Sequence, residues 1–224
     1  MKSAGFFRIV FFISKNGIFI TFEGGEGCGK TSQINLLAEF MRKKGRECVI
    51  TREPGGTAVS EKIRELLLHA KEGGSMSAKT EMLLFDAARA QHVDELIRPA
   101  LALGKIVISD RFIDSTFAYQ GAARSLGFGC AEAVNKIAVG ECVPDITFLL
   151  DLDVAAGLER AGRRDGGSSD RMGSQKIEFY EKVRAEYLRL ASENPGRFVV
   201  LDASKPILEI AAQIAKIVEE KFNV

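Results

Sequence analysis

The chain has 224 residues, 46% of them hydrophobic and 27% charged, with 31 Lys and Arg against 30 Asp and Glu for a formal net charge of +1. That length buries a real core as one large domain or two small ones, and the composition is that of a soluble globular protein. The near-zero net charge argues against bulk electrostatic attachment to nucleic acid or to an anionic membrane, while leaving room for local basic clusters. Four widely spaced cysteines, Cys28, Cys48, Cys130 and Cys142, lack metal-ligand spacing and read as free thiols in a reducing cytosol.

In chain order, the apolar run Phe6–Ile13 is broken by Arg8 and is too short to span a bilayer. No small-x-small cleavage site follows it, so residues 1–17 read as a peripheral extension, or an upstream start, outside the folded unit. The first strand is predicted at Ile18–Phe22 and a helix at Thr31–Lys44. A second strand follows at Cys48–Thr51, then helices at Val59–Ala70 and Lys79–Ala102 across a Gly/Ser connection, Lys71–Ser77. Strands at Ile106–Ser109, Ile146–Leu150 and Phe198–Leu201 alternate with helices at Ala131–Gly140, Val154–Arg160, Gln175–Ser192 and Pro206–Phe222. Five nearly continuous apolar strands alternating with helices specify a parallel sheet covered on both faces, within one domain spanning 18–224. In the last helix Ile207, Ile210, Ala211, Ile214 and Ile217 recur at helical spacing and read as core.

Gly24-Gly25-Glu26-Gly27-Cys28-Gly29-Lys30-Thr31 follows the first strand and opens the first long helix, the context a phosphate-binding loop requires. The glycines let successive backbone N–H groups curl around an anion, and the helix N-terminus adds positive potential. Lys30 offers a charge to the β- and γ-phosphates of ATP, and the Thr31 hydroxyl a ligand to Mg²⁺. Glu26 is misplaced for a triphosphate and must face either solvent or a second substrate.

Two strands deliver acids to the sheet edge where ligands bind, at Asp110 and Asp151. Asp110, followed by Arg111, is the candidate for organising Mg²⁺ and its waters; Asp151 reads as a helix cap or turn residue. Arg52 and Arg111 end the second and third strands on the same edge, where they could clamp one anion. A GTPase switch would carry Asn-Lys-x-Asp, but Asn135-Lys136-Ile137-Ala138 lacks the acid and sits in a helical pattern. A kinase acting on a phosphorylated acceptor needs a water-excluding cover, and the Gly/Ser/Arg/Asp segment at about 163–173 supplies one with Arg163, Arg164 and Arg171.

From about Ile18 to the C-terminus the sequence resembles the bacterial thymidylate kinases. The resemblance rests on Phe22–Thr31, Thr51-Arg52-Glu53-Pro54-Gly55-Gly56, Phe85-Asp86-Ala87-Ala88-Arg89, Asp110-Arg111-Phe112, Ser115 through Gly121, and Asp170-Arg171. It implies the three-layer P-loop nucleoside monophosphate kinase fold, an α/β five-stranded parallel sheet with helices on both faces and a lid. It also implies ATP and Mg²⁺ as co-substrate and cofactor, dTMP as acceptor, a cytoplasmic location and a homodimer. Phe85 would stack on the thymine ring, Arg89 would meet its carbonyl edge, and Tyr119 would crowd the ribose 2′ position with Gln120 nearby. Glu26 would face the acceptor's sugar hydroxyl. Some members carry an arginine directly after that acid; Gly27 stands there instead, which implies that the lid's Arg171 neutralises the developing charge.

The reaction so implied is in-line transfer of the ATP γ-phosphoryl to the 5′-phosphate of dTMP, with Lys30, Arg111 and Arg171 as catalytic cations and no general base. Two other readings stand beside it. A kinase for a different nucleotide or a nucleoside would use Glu53 as base in the latter case, and a nucleotide-dependent switch would hydrolyse ATP slowly against a protein partner.

Overall fold

The computed structural model describes residues 17–69, 76–164, 171–173 and 175–224. Residues 1–16 of the predicted extension, 71–75 of the Gly/Ser connection and 165–170 of the predicted cover lie outside the described residues.

Five strands, β1 (Ile18–Glu23), β2 (Cys48–Arg52), β3 (Ile106–Asp110), β4 (Ile146–Asp151) and β5 (Phe198–Asp202), form one sheet in the order β2-β3-β1-β4-β5. Every pairing is parallel. Around it lie α1 (Lys30–Lys43), α2 (Ala58–His69), α3 (Ala78–His92), α4 (Arg98–Ala102), α5 (Ile113–Ser115), α6 (Phe128–Val139), α7 (Val154–Arg164), α8 (Ile177–Glu193) and α9 (Ile207–Phe222). The predicted fold class is the one observed.

Side chains alternate across β1, as a pleated strand requires. Ile18, Ile20 and Phe22 join Ile34, Leu37 and Met41 of α1 and Ile210, Ile214 and Val218 of α9 in one core. Phe19 faces the other way, packing with Val93, Ile97, Val107 and Phe112. A third cluster gathers Tyr119, Leu149, Val183, Tyr187 and Phe198 beneath α8. Both faces of the sheet are thus covered, which is why its central strands read as apolar throughout.

The structure departs from the predicted elements in four places. Each strand runs one residue further than predicted, through Glu23, Arg52, Asp110, Asp151 and Asp202. These charged residues still pair, Arg52 with Asp110 and Asp151 with Asp202, so polarity at the edge does not end the ladder. Residues 113–123, unassigned in the sequence, form α5 and a π-type turn, Thr116–Ala123. Its inward positions include Thr116, Gln120 and Gly121, so no apolar period marks it. A second π-type stretch, Val93–Ile97, joins α3 to α4 just before Pro99, which has no N–H for the carbonyl four residues back. Finally, Ile207 is exposed rather than core, and at the other end of the stripe Val218 is wholly buried while Ile217 is only partly so.

Candidate active site

The C-terminal ends of β1, β2 and β3 and the segments after them enclose a cleft of about 880 Å³, the size of a small-ligand site. Glu26, Gly27, Cys28, Gly29, Lys30, Thr31, Arg52, Phe85, Arg89, Asp110, Arg111, Tyr119 and Gln120 all line it. Gly24 and Gly25 lie just behind, against the end of β4. Of the other sequence-predicted site residues, Arg171 alone is not brought to the cleft wall.

The loop's geometry follows from its composition. Gly24, Gly27 and Gly29 have φ of 137°, 66° and 93°, where a Cβ would be strained. Gly29 precedes α1, and no side chain caps that helix, so its first N–H groups are left for a ligand. The Lys30 ammonium lies back over the loop, donating to the carbonyls of Gly24 (3.2 Å) and Gly25 (2.9 Å). Cys28 is buried, its thiol donating to Gly25 O at 3.1 Å.

Gly27 also explains why this loop carries no arginine there. A Cβ on Gly27 would sit 2.1 Å from the carbonyl oxygen of Gly157 in α7, and one on Gly157 would sit 2.4 Å from Glu26 O. Loop and α7 therefore meet backbone to backbone. Gly157→Ala, whose helical φ tolerates alanine, should cost about 1–3 kcal/mol by overpacking and raise the KM for ATP as the loop shifts. Urea denaturation and steady-state kinetics check both; unchanged stability would show that the two segments separate freely.

Arg111 follows β3 with a φ of 70°. Its Nη2 donates to Glu26 Oε1 at 2.7 Å, and its Nη1 to Gly24 O and the Tyr187 hydroxyl, each at 3.2 Å. The guanidinium stacks 4.9 Å from the Tyr119 ring centroid, and the Tyr119 hydroxyl donates to Glu26 Oε1 at 3.2 Å. Burial works against its charge, but Tyr119, Glu26, Tyr187 and Asp110 more than offset that and hold Arg111 protonated. Glu26 therefore faces neither the phosphate loop's interior nor open solvent but the part of the cleft bounded by Arg111 and Tyr119.

Arg52 makes a two-pronged ion pair with Glu61 of α2, at 3.0 Å to each oxygen, so a clamp with Arg111 requires it to exchange that partner. Arg89 is almost wholly buried at 2% exposure. It donates to Glu53, Asp86, Thr116, Asn135 and the Phe112 carbonyl at 2.6–3.1 Å. Among the described residues this leaves one Nη2 hydrogen for a ligand. Asn135 is part of that network, and its amide also donates to Ile113 O, so it reads no guanine. Phe85, half-buried, lies on the cleft wall.

Glu81, which the sequence reading passed over, organises the far wall. This buried carboxylate accepts from Gln120 Nε2 (2.8 Å), Arg124 (3.2 Å) and Arg171. Burial opposes its charge, and those hydrogen bonds overcome it, keeping Glu81 below the usual carboxylate range. Arg171 also donates to Leu67 O at 2.8 Å, which ties this end of the predicted cover to α2 and α3 rather than to the phosphate loop. Arg160 of α7, also unforeseen, does line the cleft while donating to Ala203 O at 3.1 Å. Asp151 is neither cap nor turn: Arg184 grips it at 2.7 and 3.0 Å, and Asp153 accepts from the Ala156 amide to cap α7.

For a divalent cation, the telling atom is Asp110 Oδ1, which is buried and has no hydrogen-bond partner among the described residues. An orphaned carboxylate oxygen on a residue that lines the same cleft as Thr31 fits Mg²⁺, which keeps waters and takes one or two protein ligands plus phosphates. The described residues hold no cluster of three His, Cys, Asp or Glu that would cage a metal by itself.

The family model of thymidylate kinase matches residues 22–214. The chain is 47% identical over 212 residues to the thymidylate kinase of Pelobacter propionicus, covering 92% of this chain and 96% of that one. It is 46% identical over 205 residues to the Alcanivorax borkumensis thymidylate kinase, covering 92% and 97%. The crystal structure of Ehrlichia chaffeensis thymidylate kinase superposes with a TM-score of 0.73 at 35% identity, covering 91% of this chain and 98% of that one.

Proposed function

The chain belongs to the thymidylate kinase family, and from that premise we propose that it transfers the γ-phosphoryl group of ATP to the phosphate of dTMP, giving dTDP and ADP. The observation that carries this reading is Arg111, whose guanidinium spans from the phosphate loop at Gly24 O to the acceptor-side carboxylate Glu26. A cation at that junction neutralises charge on the phosphoryl group as it passes between two anions.

Lys30 moves from the loop carbonyls onto the β- and γ-phosphates. Thr31 and Asp110 would hold Mg²⁺, which would supply charge neutralisation on the phosphates. The acceptor is already an anion and needs no base, and Glu53, the base a nucleoside kinase would use, is occupied by Arg89 (2.7 Å) and His92 (3.0 Å). Arg160 adds charge from α7, and Arg171 adds charge from the lid on exchanging Glu81 for substrate.

On the acceptor side, Glu81 receives only donors, so Gln120 must turn its amide nitrogen to Glu81 and its oxygen away. That oxygen accepts from the N3–H of thymine, while Phe85 stacks on the ring and the free Nη2 hydrogen of Arg89 meets its carbonyl edge. Tyr119, fixed by Arg111 and Glu26, crowds the ribose 2′ position. Exposed Val59 and Leu66 of α2, Leu83 of α3 and Ile137 of α6 support a homodimer formed through these helices. Among the described residues no helix is long and apolar enough to cross a membrane, and four free thiols suit the cytoplasm.

Coupled ADP release over a panel of nucleoside monophosphates tests the reading. dTMP should exceed dCMP by at least about a hundredfold in kcat/KM, because a cytosine N3 sets acceptor against acceptor at Gln120. A preference for AMP or GMP, or equal rates with thymidine, would sink it.

A further inference from the structure

One buried cluster beside the cleft is not used by the mechanism so far. Glu23, the last residue of β1, is wholly buried, and three donors converge on its carboxylate. The Phe112 amide donates to Oε1 at 2.7 Å, and the hydroxyls of Tyr187 and Ser115 donate to Oε2 at 2.7 and 2.8 Å. The Tyr187 oxygen in turn accepts from Arg111 Nη1 at 3.2 Å. We propose that Glu23 and Tyr187 are positioning residues for Arg111: by taking the phenol hydrogen, the Glu23 carboxylate turns a Tyr187 lone pair onto the guanidinium and fixes it at the phosphoryl junction. The inference rests on the role given to Arg111 above.

The polarity of this relay is set by the charge on Glu23. Oε1 is committed to a backbone N–H, so a proton added to Glu23 sits on Oε2, which then becomes a donor. The Tyr187 hydrogen then turns to Ser115 Oγ, 2.8 Å away, and the Oε2 proton competes with Arg111 for the Tyr187 oxygen, so that contact is weakened. Around Glu23 stand Asp114 and Ser115 of α5, Arg111 after β3, Tyr187 of α8, and Arg197, which pairs with Asp114 at 2.7 Å. Burial first, then the Asp114 charge, raises the Glu23 carboxyl from 4.5 to about 7, against the pull of Arg111, Tyr187 and Ser115. The relay is therefore set above neutrality and reversed below it. Glu23→Gln reproduces the reversed state at every pH, because its oxygen must face the Phe112 amide and its NH₂ takes the Oε2 place.

The test is the pH dependence of kcat at saturating ATP and dTMP. Wild type should rise through an apparent pKa near 7 to a plateau. Glu23→Gln should be flat there and about tenfold below wild type at pH 8.5, converging with it near pH 5.5. Tyr187→Phe, which cuts the relay and keeps the ring, should also lose the limb near 7 and fall about tenfold. Titration of the dTMP phosphate, with a pKa of about 6, is common to all three proteins and cancels in the comparison. A merely structural role would lower Tm and leave the limb in place, overturning the proposal. So would wild-type kcat in Tyr187→Phe while Arg111→Ala is inactive. Full activity in Arg111→Ala would instead overturn the role of Arg111 itself.

Discussion

Arg111→Ala should lower kcat by about a thousandfold, the range found when a preorganised cation or donor is removed from a transferring group, with much smaller changes in either KM. Arg111→Lys should recover less than about a tenth of the lost rate, although it restores the charge. The reason is the number of simultaneous demands on one guanidinium. Its Nη1 serves Gly24 O and Tyr187, its Nη2 serves Glu26 at 2.7 Å, and its face lies on the Tyr119 ring. An ammonium on a flexible stem can satisfy Glu26 alone, and the pair would then sit on the acceptor side without bridging to the loop. Steady-state kinetics with far-ultraviolet circular dichroism as a folding control decides this. An Arg111→Lys enzyme within a few-fold of wild type would mean that the position needs charge only, and that the fork geometry is incidental.

How far these arrangements could be read from the sequence depends on the length scale of the interaction. The phosphate loop was legible because its physics is local: glycines at φ of 66° to 137°, a lysine and a helix start are adjacent in the chain. The central strands were legible because burial on both faces leaves no polar alternation to misread. Repulsion from phosphate alone left Glu26 facing either solvent or a second substrate, and the structure sets it against Arg111 and Tyr119. Glu23 was not read, although an acid at the end of Ile18–Glu23 falls on the inward face shared with Phe19 and Thr21. Its partners Phe112, Ser115 and Tyr187 lie 89, 92 and 164 residues away, and in the sequence Tyr187 is one more apolar position of α8. The same holds for Glu81, whose partners Gln120, Arg124 and Arg171 lie 39, 43 and 90 residues away. Asp151 was misassigned for a related reason: local propensity suggested a cap, but Arg184, 33 residues on, takes both its oxygens.

Arg89 shows where resemblance and physics divide the work. The family likeness gives it a base-reading role, yet almost all of its donors hold the protein together. Arg89→Ala should destabilise the fold by about 3–5 kcal/mol, because it leaves Glu53 and Asp86 buried without their cation. The loss should depend on pH in a definite direction. Burial already raises the Asp86 carboxyl and the neighbouring Glu53 charge raises it further, while Arg89 pulls it down. Removing Arg89 lets it rise, and a carboxyl raised in the folded state has its stability intact at low pH and loses it as pH climbs. The gap to wild type in urea denaturation should therefore widen from pH 5 to pH 8. Arg89→Lys separates the two roles: one ammonium cannot reach Glu53, Asp86, Thr116, Asn135 and Phe112 O together, so most of the stability loss should remain. If Arg89→Ala instead unfolded at the wild-type urea midpoint and failed only in dTMP affinity, the base-reading role would be the whole of its function.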